Sequence, residues 1–204
     1  MINTKNEELV TFKYLGTDSV QERLFNASGT NFSTLIHKLN TFWLNTSSRI
    51  SAYPTNFYTY KFDAHNRLIF AETNFADFPA NFIRMIRDSF YYTNNNITTQ
   101  KTYTLVNGGR WDTVIYTNTY SDKINTLTKK AFGQDFKALY GGLYSPLNLF
   151  GFEALNENLI LTQKDETNNS TTEYTYDFDM ADRVIKRVKS KDGTVASIRL
   201  YSYY

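Results

Sequence analysis

The sequence predicts an all-β protein, an antiparallel up-and-down meander of about 10–12 strands rolled into a barrel or near-barrel. Three observations lead to this prediction. Aromatic residues make up 17% of the 204 residues, and Tyr, Phe and Thr favour a pleated, half-buried surface. Turns rich in Asn and Gly separate stretches of alternating polarity. A short phrase of two aromatic residues, a turn, a basic residue and an apolar residue recurs along the chain.

The recurring phrase is clearest at 60–69 and 176–185, where it has the form Tyr-x-Phe-Asp-x-x-x-Arg-(Leu/Val)-Ile. Each copy predicts a strand, a tight turn and a second strand. Looser copies are found at 12–20 and 42–50. The two aromatic residues of a copy are two positions apart, so they lie on the same face of a strand. We therefore expect rings to stack between neighbouring hairpins, at roughly 0.2–1 kcal/mol per pair.

Alternating polarity places the strands in chain order along most of the sequence. The predicted strand regions are 9–25, 40–53, 57–73, 82–92, 97–106, 110–120, 124–129, 159–164, 172–178, 183–189 and 195–204. The turns predicted between the later strands are 94–96, 107–109, 121–123, 168–170 and 191–193. Connections this short permit only antiparallel neighbours. The sheet must also curl or close, because open sheets of about ten or more strands are uncommon.

Two segments depart from the strand pattern. Segment 131–155 contains four glycines and Pro146 among many apolar residues, and Gln134–Tyr140 within it could form two helical turns. We expect this short helix and loop insertion to cap or plug one end of the barrel. A second short helix is predicted at Ser33–Leu39, with Ser33 or Thr34 as its cap. The whole chain, 1–204, is predicted to be a single β domain.

Charge and cysteine content exclude several classes of function. The net charge is +2, and the cations are spread along the chain, so a nucleic-acid partner is not expected. The locally basic stretch 183–191 is interpreted as an edge or surface strand with a charged outer face. The absence of cysteine removes disulfides, thiolate metal sites and a cysteine nucleophile. We expect no cofactor.

Catalytic and metal-binding candidates are few. His65 falls in a predicted turn and should be exposed, and His37 should be partly exposed, so the two do not predict a metal site. The acids Asp177, Asp179 and Asp182 surround one turn and could bind calcium. Local hydrogen bonding within the turn is the favoured interpretation. No catalytic or metal-ligating residue is therefore assigned.

Aromatic side chains are the remaining functional hint. Trp43, Trp111 and Tyr144 are the possible ligand-binding aromatics, because flat rings can line a glycan groove. The competing interpretation is that most rings form the core or ladders between strands. A membrane-spanning barrel is a further alternative, since the chain ends in an aromatic strand. Strands such as 97–105, however, are too polar to supply a continuous lipid-facing band.

The phrases at 60–69 and 176–185, together with Tyr144–Leu149 and Leu200–Tyr203, resemble a family of bacterial lipoproteins with a porin-like fold. This family is common in Bacteroidota-type organisms, and the phrase also resembles the hairpins of YD-repeat proteins. The resemblance implies export and a water-soluble β domain tethered to the membrane by a lipid anchor. The cysteine that would carry such an anchor is absent from this sequence. The resemblance supplies no catalytic residues.

The expected function is that of a non-enzymatic exported protein of the cell envelope, at the outer membrane or in the periplasm. It would act as a binding or structural β module, with a glycan or another envelope protein as partner. One alternative is a small-molecule carrier with its ligand in the barrel interior, which an empty apolar cavity would favour. Another is a carboxylate-based hydrolase, which needs two acids about 5–10 Å apart in a cleft.

Overall fold

In the part of the chain that the structure describes, thirteen strands form one antiparallel sheet, in which each strand pairs with its neighbours in the chain. The computed structural model describes residues 9–25, 28–41, 45–50, 53–77, 82–106, 109–126 and 155–202. The strands are β1 Leu9–Tyr14, β2 Ser19–Phe25, β3 Asn31–Leu39, β4 Asn45–Ile50, β5 Tyr53–Phe62, β6 Leu68–Asp77, β7 Phe82–Thr93, β8 Asn96–Val106, β9 Asp112–Ile124, β10 Asn158–Asp165, β11 Ser170–Phe178, β12 Val184–Lys191 and β13 Thr194–Leu200.

The predicted fold class is confirmed, since the sheet is an all-β antiparallel meander with almost no helix in its described part. The edges are β1 and β13, which do not pair with each other within the described residues. The sheet is therefore not closed, and its form is that of a barrel or near-barrel. No helix among the described residues has the length and apolar character needed to cross a bilayer.

The helix predicted at Ser33–Leu39 is wrong, and the described strands number one more than the upper end of the predicted range. These residues belong to β3, which pairs with β2 on one side and with β4 on the other. The β-branched residues Thr34 and Ile36 favour a strand over a helix. Hydrogen bonding on both edges then outweighs the weak helix signal of a short segment.

Two predicted turns are also wrong. Residues 45–50 form the single strand β4, so the loose copy of the phrase at 42–50 contains no turn before Arg49. The predicted turn 121–123 lies within β9, which continues to Ile124 and pairs there with Asn158 of β10. β9 pairs with β10 on both sides of this segment, and a register shift between Tyr120 and Ile124 accommodates it without reversing the chain. The capping segment predicted at 131–155 lies outside the described residues, apart from Leu155.

The Asp of the recurring phrase organises the turn. One carboxylate oxygen of Asp63 accepts the backbone N–H groups of His65 and Arg67, at 2.9 and 3.0 Å. The other oxygen accepts Nε of the Arg67 side chain at 2.8 Å. Asn66 has a positive φ of 60°, a left-handed conformation that Asn tolerates. The phrase therefore encodes a turn closed by an Asp–Arg pair.

The second copy of the phrase repeats the same hydrogen bonds. Asp179 accepts the N–H groups of Ala181 and Arg183, each at 2.9 Å, and Nε of Arg183 at 2.7 Å. Asp182 takes the left-handed position with φ of 59°. Its carboxylate reaches Lys123, while Asp177 pairs with Lys186. Each of these three acids thus has a separate structural partner.

The two faces of the sheet differ in burial. Residues paired across neighbouring strands share a face, and one face carries the buried side chains. We call it the inner face; it holds Leu35 in β3, Tyr60 in β5, Phe90 in β7 and Tyr174 in β11. The opposite face, here the outer face, exposes cations such as Lys61.

Each clear copy of the phrase contributes to its own apolar cluster. The first cluster consists of Tyr60, Leu68, Ala71, Phe90 and Ile97. The second is built from Leu159 and Val184, against which Tyr176, Phe178 and Tyr201 pack. The rings of Tyr176 and Phe178 lie 6.5 Å apart along one strand. Cation–ring contacts join each copy of the phrase to another strand: Arg67 lies over Tyr92 at 4.8 Å and Lys123 over Phe178 at 5.0 Å.

Candidate functional site: the polar inner face

Polar and charged side chains lie among the apolar ones on the inner face, and three groups of them stand out. The Glu22 network consists of Glu22, His37, Ser48 and Tyr58. The Asp88 network consists of Asp88, Gln100 and Thr102. The cationic cluster consists of Arg187, Lys189 and Arg199. The three groups lie on β2–β5, β7–β8 and β12–β13.

Strand register assembles the Glu22 network. His37 of β3 lies opposite Ser48 of β4, and Ser48 lies opposite Tyr58 of β5. These three residues therefore form a row across three strands on one face. Glu22 of β2 is placed diagonally from His37, whose direct partner on that strand is Val20. Antiparallel pairing thus joins residues that are up to 36 positions apart in sequence.

The network is a chain of short hydrogen bonds. His37 Nε2 is 2.8 Å from a carboxylate oxygen of Glu22, and His37 Nδ1 is 2.8 Å from the Ser48 hydroxyl. An ionised carboxylate only accepts hydrogen bonds, so Nε2 carries a hydrogen and is the donor of the hydrogen bond to Glu22. In the neutral ring, Nδ1 accepts the proton of the Ser48 hydroxyl. The exposed fractions of Glu22, His37 and Ser48 are 2%, 0% and 1%, so the chain of bonds is cut off from solvent.

Tyr58 extends the network toward β5. Burial and then the negative charge of Glu22 raise the pKa of Tyr58 above its usual value. Burial and then the neighbouring Tyr58 raise the pKa of Tyr60 further. Both phenols therefore keep their protons at neutral pH. The negative charge of Glu22 on β2 thus acts on Tyr58 on β5. His37 is the basic residue in direct contact with Glu22.

A serine, a histidine and a carboxylate in hydrogen-bonded sequence have the composition of a hydrolase triad, but two features differ. In such triads the serine bonds to Nε2 of the histidine and the carboxylate to Nδ1. Here the two ring nitrogens have exchanged partners. Ser48 is also nearly inaccessible, so its hydroxyl cannot meet a substrate carbonyl from solvent. The geometry is that of a buried polar network satisfying its own groups.

The Asp88 network is a buried acid held by neutral donors. Gln100 Nε2 and Thr102 Oγ1 donate to the same carboxylate oxygen of Asp88, at 3.0 and 2.6 Å. Burial raises the pKa of Asp88, and the two hydrogen bonds offset part of that effect. Burial also raises the pKa of Tyr116 on β9, with smaller contributions from Asp165 and Asp88. This part of the inner face therefore disfavours further negative charge.

The cationic cluster has the opposite character. Arg187 of β12 lies opposite Arg199 of β13, and Lys189 lies two residues along on the same face. The guanidinium of Arg187 and the ammonium of Lys189 lie 5.7 and 5.8 Å from the ring centre of Tyr174. The interpretation of 183–191 as an edge or surface strand with a charged outer face holds for Lys186 but is wrong for the edge and for Arg187. β12 lies one strand in from the edge, and Arg187 is only 4% exposed.

The aromatic residues singled out from the sequence are only partly visible in the structure. Trp111 directly precedes β9 and is half-buried, with the Arg87 guanidinium 4.9 Å from its ring centre. Arg87 in turn pairs with Glu72 at 2.5 Å on the outer face. Trp111 therefore contacts a different side of the sheet from the three polar groups. Trp43 and Tyr144 lie outside the described residues, and the role of all three aromatics stays a prediction.

The structure confirms the predicted exposure of one histidine and contradicts that of the other. His65 is exposed in its turn, as predicted. The prediction for His37 was wrong, because it is fully buried. A signal was present in the sequence: if 31–39 is a strand, then Leu35, His37 and Leu39 alternate onto one apolar face. Glu22 likewise follows Val20 on the buried face of β2. An ionisable residue in phase with apolar residues is the pattern that predicts a buried pair.

Comparison with solved structures informs on the fold. The chain is similar to a porin-like protein from Bacteroides uniformis, with a TM-score of 0.55 and 16% sequence identity, over 94% of this chain and 76% of that chain. The fold is porin-like. Identity this low bears on the fold alone. No protein-family model matches the chain, and no curated protein matches it. The expected lipoprotein character and the likeness to YD repeats stay predictions.

Proposed function

We propose that this protein is a non-enzymatic, exported protein of the cell envelope that binds a polar ligand, foremost a glycan, on its inner face. The observation that carries the proposal is the lining of that face. Amide, hydroxyl and charged side chains alternate there with aromatic rings on strands from β2 to β12. Convergent polar groups set among apolar surface are typical of ligand sites.

The outer face supports a water-exposed domain. Arg23, Lys38, Arg49 and Lys61 are all exposed and project from that face on four successive strands. A lipid-facing barrel needs an apolar residue at every second position, and mid-bilayer Arg or Lys costs about 2–4 kcal/mol. The outer face therefore does not support insertion of these strands into a bilayer. The porin-like fold supports placement in the envelope.

The non-enzymatic part of the proposal follows from the Glu22 network. Ser48 is the serine with a general base beside it, yet it is buried and bonded to the wrong ring nitrogen for a triad. We expect a fluorophosphonate probe, which labels activated serines, to leave Ser48 unmodified in the folded chain. Labelling that is abolished in Ser48→Ala would overturn this part of the proposal.

Binding is tested with an oligosaccharide microarray and two matched double variants. Gln163 and Thr172 face each other on the inner face of β10 and β11, and Thr162 and Glu173 do so on the outer face. We expect Gln163→Ala/Thr172→Ala to weaken the wild-type signal and Thr162→Ala/Glu173→Ala to leave it unchanged. Equal effects of the two pairs, or no signal from wild type, would contradict binding on the inner face.

Location is tested in the organism that carries the gene. An antibody raised against this chain should detect the full-length protein in the envelope fraction. Recovery in the cytosolic fraction would contradict export without affecting the binding test. The alternative of a small-molecule carrier uses the same face. A carrier would bind monosaccharides as tightly as oligosaccharides, whereas an open groove gains affinity with ligand length.

A further inference from the structure

The outer face of β1–β8 collects most of the cations of these strands. Alternation along each strand and antiparallel pairing between strands bring them to one face, although they are spread along the sequence. We call this set the outer cationic band; it consists of Lys13, Arg23, Lys38, Arg49, Lys61, Arg87 and Lys101. All of these side chains are exposed or half-buried. The band therefore extends over the sheet from β1 to β8 and is open to solvent.

Acidic side chains do not balance the outer cationic band. Among the described side chains of β1–β8, Glu72 is the acid on the outer face, where it pairs with Arg87. Glu22 and Asp88 are buried on the inner face. The outer face of these strands therefore carries a positive field, although the net charge of the whole chain is only +2.

The outer face of β10–β13 is arranged differently. Register puts Lys164 and Lys186 on this face. The ammonium of Lys164 lies 2.6 Å from a carboxylate oxygen of Glu166, and that of Lys186 lies 3.1 Å from a carboxylate oxygen of Asp177. Each of the two lysines thus has an acid beside it. The excess of positive charge belongs to the β1–β8 half of the outer face.

Aromatic rings of the same face position several of the cations. The ammonium of Lys61 lies 5.1 Å from the ring centre of Phe70, and that of Lys101 lies 5.4 Å from the ring centre of Tyr91. The contact between Arg87 and the indole described above is of the same kind. Such contacts hold a long side chain over a ring, so less conformational freedom is lost when an anion binds. They also occupy ring faces on which a nucleic-acid base would stack.

The spacing of the cations favours a long polyanion over a compact ligand. Lys61 and Lys101 lie on one row of paired residues, three strands apart. At the usual spacing of strands this separates them by about 14 Å across the sheet. A small anion therefore meets one cation, whereas a polymer meets several at once and gains affinity from each. A flat bilayer would touch only a few strands of a sheet that curves as a barrel or near-barrel does.

We propose that the outer cationic band binds a linear acidic polysaccharide, whose carboxylates or sulfates pair with the lysine and arginine side chains. Charge-assisted hydrogen bonds of this kind are stronger than those between neutral groups. The side chains are accessible, so the polymer reaches them without rearrangement of the sheet. This site goes beyond the glycan site proposed on the inner face, and each of the two proposals can fail without the other.

Calorimetry on the full chain tests the class of polymer. The probes are polygalacturonate for carboxylates, dextran sulfate for sulfates, and neutral dextran as the uncharged control. We expect binding of acidic polymer and none of dextran, and the tighter of the two acidic probes identifies the oxyanion. Affinity should fall at least about tenfold between about 50 and 200 mM salt, because binding releases counterions from the polymer. A trigalacturonate should bind at least about tenfold more weakly than the polymer.

Two matched double variants locate the site. Lys61→Gln/Lys101→Gln and Lys164→Gln/Lys186→Gln each remove two positive charges from the outer face, the first pair from the outer cationic band and the second from β10 and β12. We expect the first to weaken polymer binding at least about tenfold and to lower the slope of log affinity against log salt by about two. The second should leave both quantities unchanged. Circular dichroism verifies that both variants fold.

Three results would overturn the inference. Equal losses in the two double variants would show a non-specific effect of net charge. Absence of binding by both acidic polymers would exclude the ligand class. Tighter binding of single-stranded DNA, or of phosphatidylglycerol vesicles, than of either polysaccharide would assign the face to a nucleic acid or to a bilayer.

The same variants keep this inference apart from the proposed function. Lys61→Gln/Lys101→Gln should leave the microarray signal from neutral glycans unchanged, because its substitutions lie on the outer face. Gln163→Ala/Thr172→Ala should leave the binding of the acidic polymer unchanged. A microarray without signal would therefore contradict the inner-face site alone, and a loss of polymer binding in Gln163→Ala/Thr172→Ala would contradict the outer one.

Discussion

The Glu22 network and the cationic cluster lie on the same face of the sheet, but their charged groups are arranged differently. In the first, the acid and the base lie 2.8 Å apart and the serine completes the chain. In the second, Arg187 is paired by register with another arginine. Networks that neutralise themselves are suited to fixing a structure. Cations placed directly opposite each other do not by themselves stabilise the pairing of β12 with β13.

The largest expected effect is the removal of His37 from the balanced region. His37→Leu leaves Glu22 buried without the hydrogen bond from Nε2, and removing one partner of such a buried pair costs about 3–5 kcal/mol. Urea unfolding followed by circular dichroism measures the change. Lys38→Leu, on the outer face of the same strand, is the control and should change stability by less than about 0.5 kcal/mol. A small cost for His37→Leu would mean that Glu22 finds another partner and that the network does not hold β2–β4 together.

The second-largest effect concerns the two Asp–Arg turns, one between β5 and β6 and one between β11 and β12. Asp63→Ala removes the acceptor of two backbone N–H groups and of the Arg67 side chain, with an expected cost of about 1–2 kcal/mol. His65→Ala alters an exposed side chain of the same turn and should be nearly neutral. Asp179→Ala should destabilise in the same direction, because its contacts are the same. If His65→Ala cost as much as Asp63→Ala, the Asp–Arg device would not be what closes the turn.

Local patterns were enough to predict the hairpins and not enough to predict the site. The phrase carries its own turn in Asp63 and Arg67, so β5, β6 and their register follow from residues within ten positions. The Glu22 network joins four strands, β2 to β5, whose alignment depends on β3. Residues 33–39 of β3 carry a weak helix signal, and a helix there does not predict that His37 is buried on one face with Leu35 and Leu39. In the C-terminal region the sequence shows the basic stretch 183–191. Which of its cations lie on the inner face depends on how β12 pairs with β11 and β13.

The third effect tests the register that creates the like-charge pair. Gly193 lies in the β12–β13 turn with φ of +80°, and no atom comes within 4 Å of an added Cβ. Gly193→Ala therefore acts through the backbone alone and should cost about 1 kcal/mol. Gly193→Asn should cost less, because Asn tolerates this conformation. Unfolding midpoints measure both variants. Equal costs would indicate that the turn relaxes to another type, and the pairing of Arg187 with Arg199 would then not depend on it.

The smallest effect is a pH dependence of stability. It compares Asp88, a buried acid bonded by neutral groups, with Asp63, which is paired with Arg67. Burial raises the pKa of Asp88, so the folded state holds its proton more tightly than the unfolded state does. Stability from this group is complete below the ordinary pKa of Asp and is lost as pH rises through the raised value. Asp88→Asn keeps an acceptor for Gln100 and Thr102 and removes the titration. The variant should gain stability relative to wild type as pH rises.

Asp63 supplies the opposite sign as a control. Burial alone would raise its pKa, but the hydrogen bonds from Arg67 and His65 and the charge of Arg67 lower it. Its contribution is therefore present above the ordinary pKa of Asp and is lost as pH falls through the lowered value. Unfolding curves of Asp88→Asn and Asp63→Asn, measured between about pH 3 and pH 8 against wild type, should diverge in opposite directions. Parallel curves would mean that Asp88 is ionised in the folded protein as readily as in the unfolded chain. Its part of the inner face would then have to supply positive charge, as the region around Arg187 does.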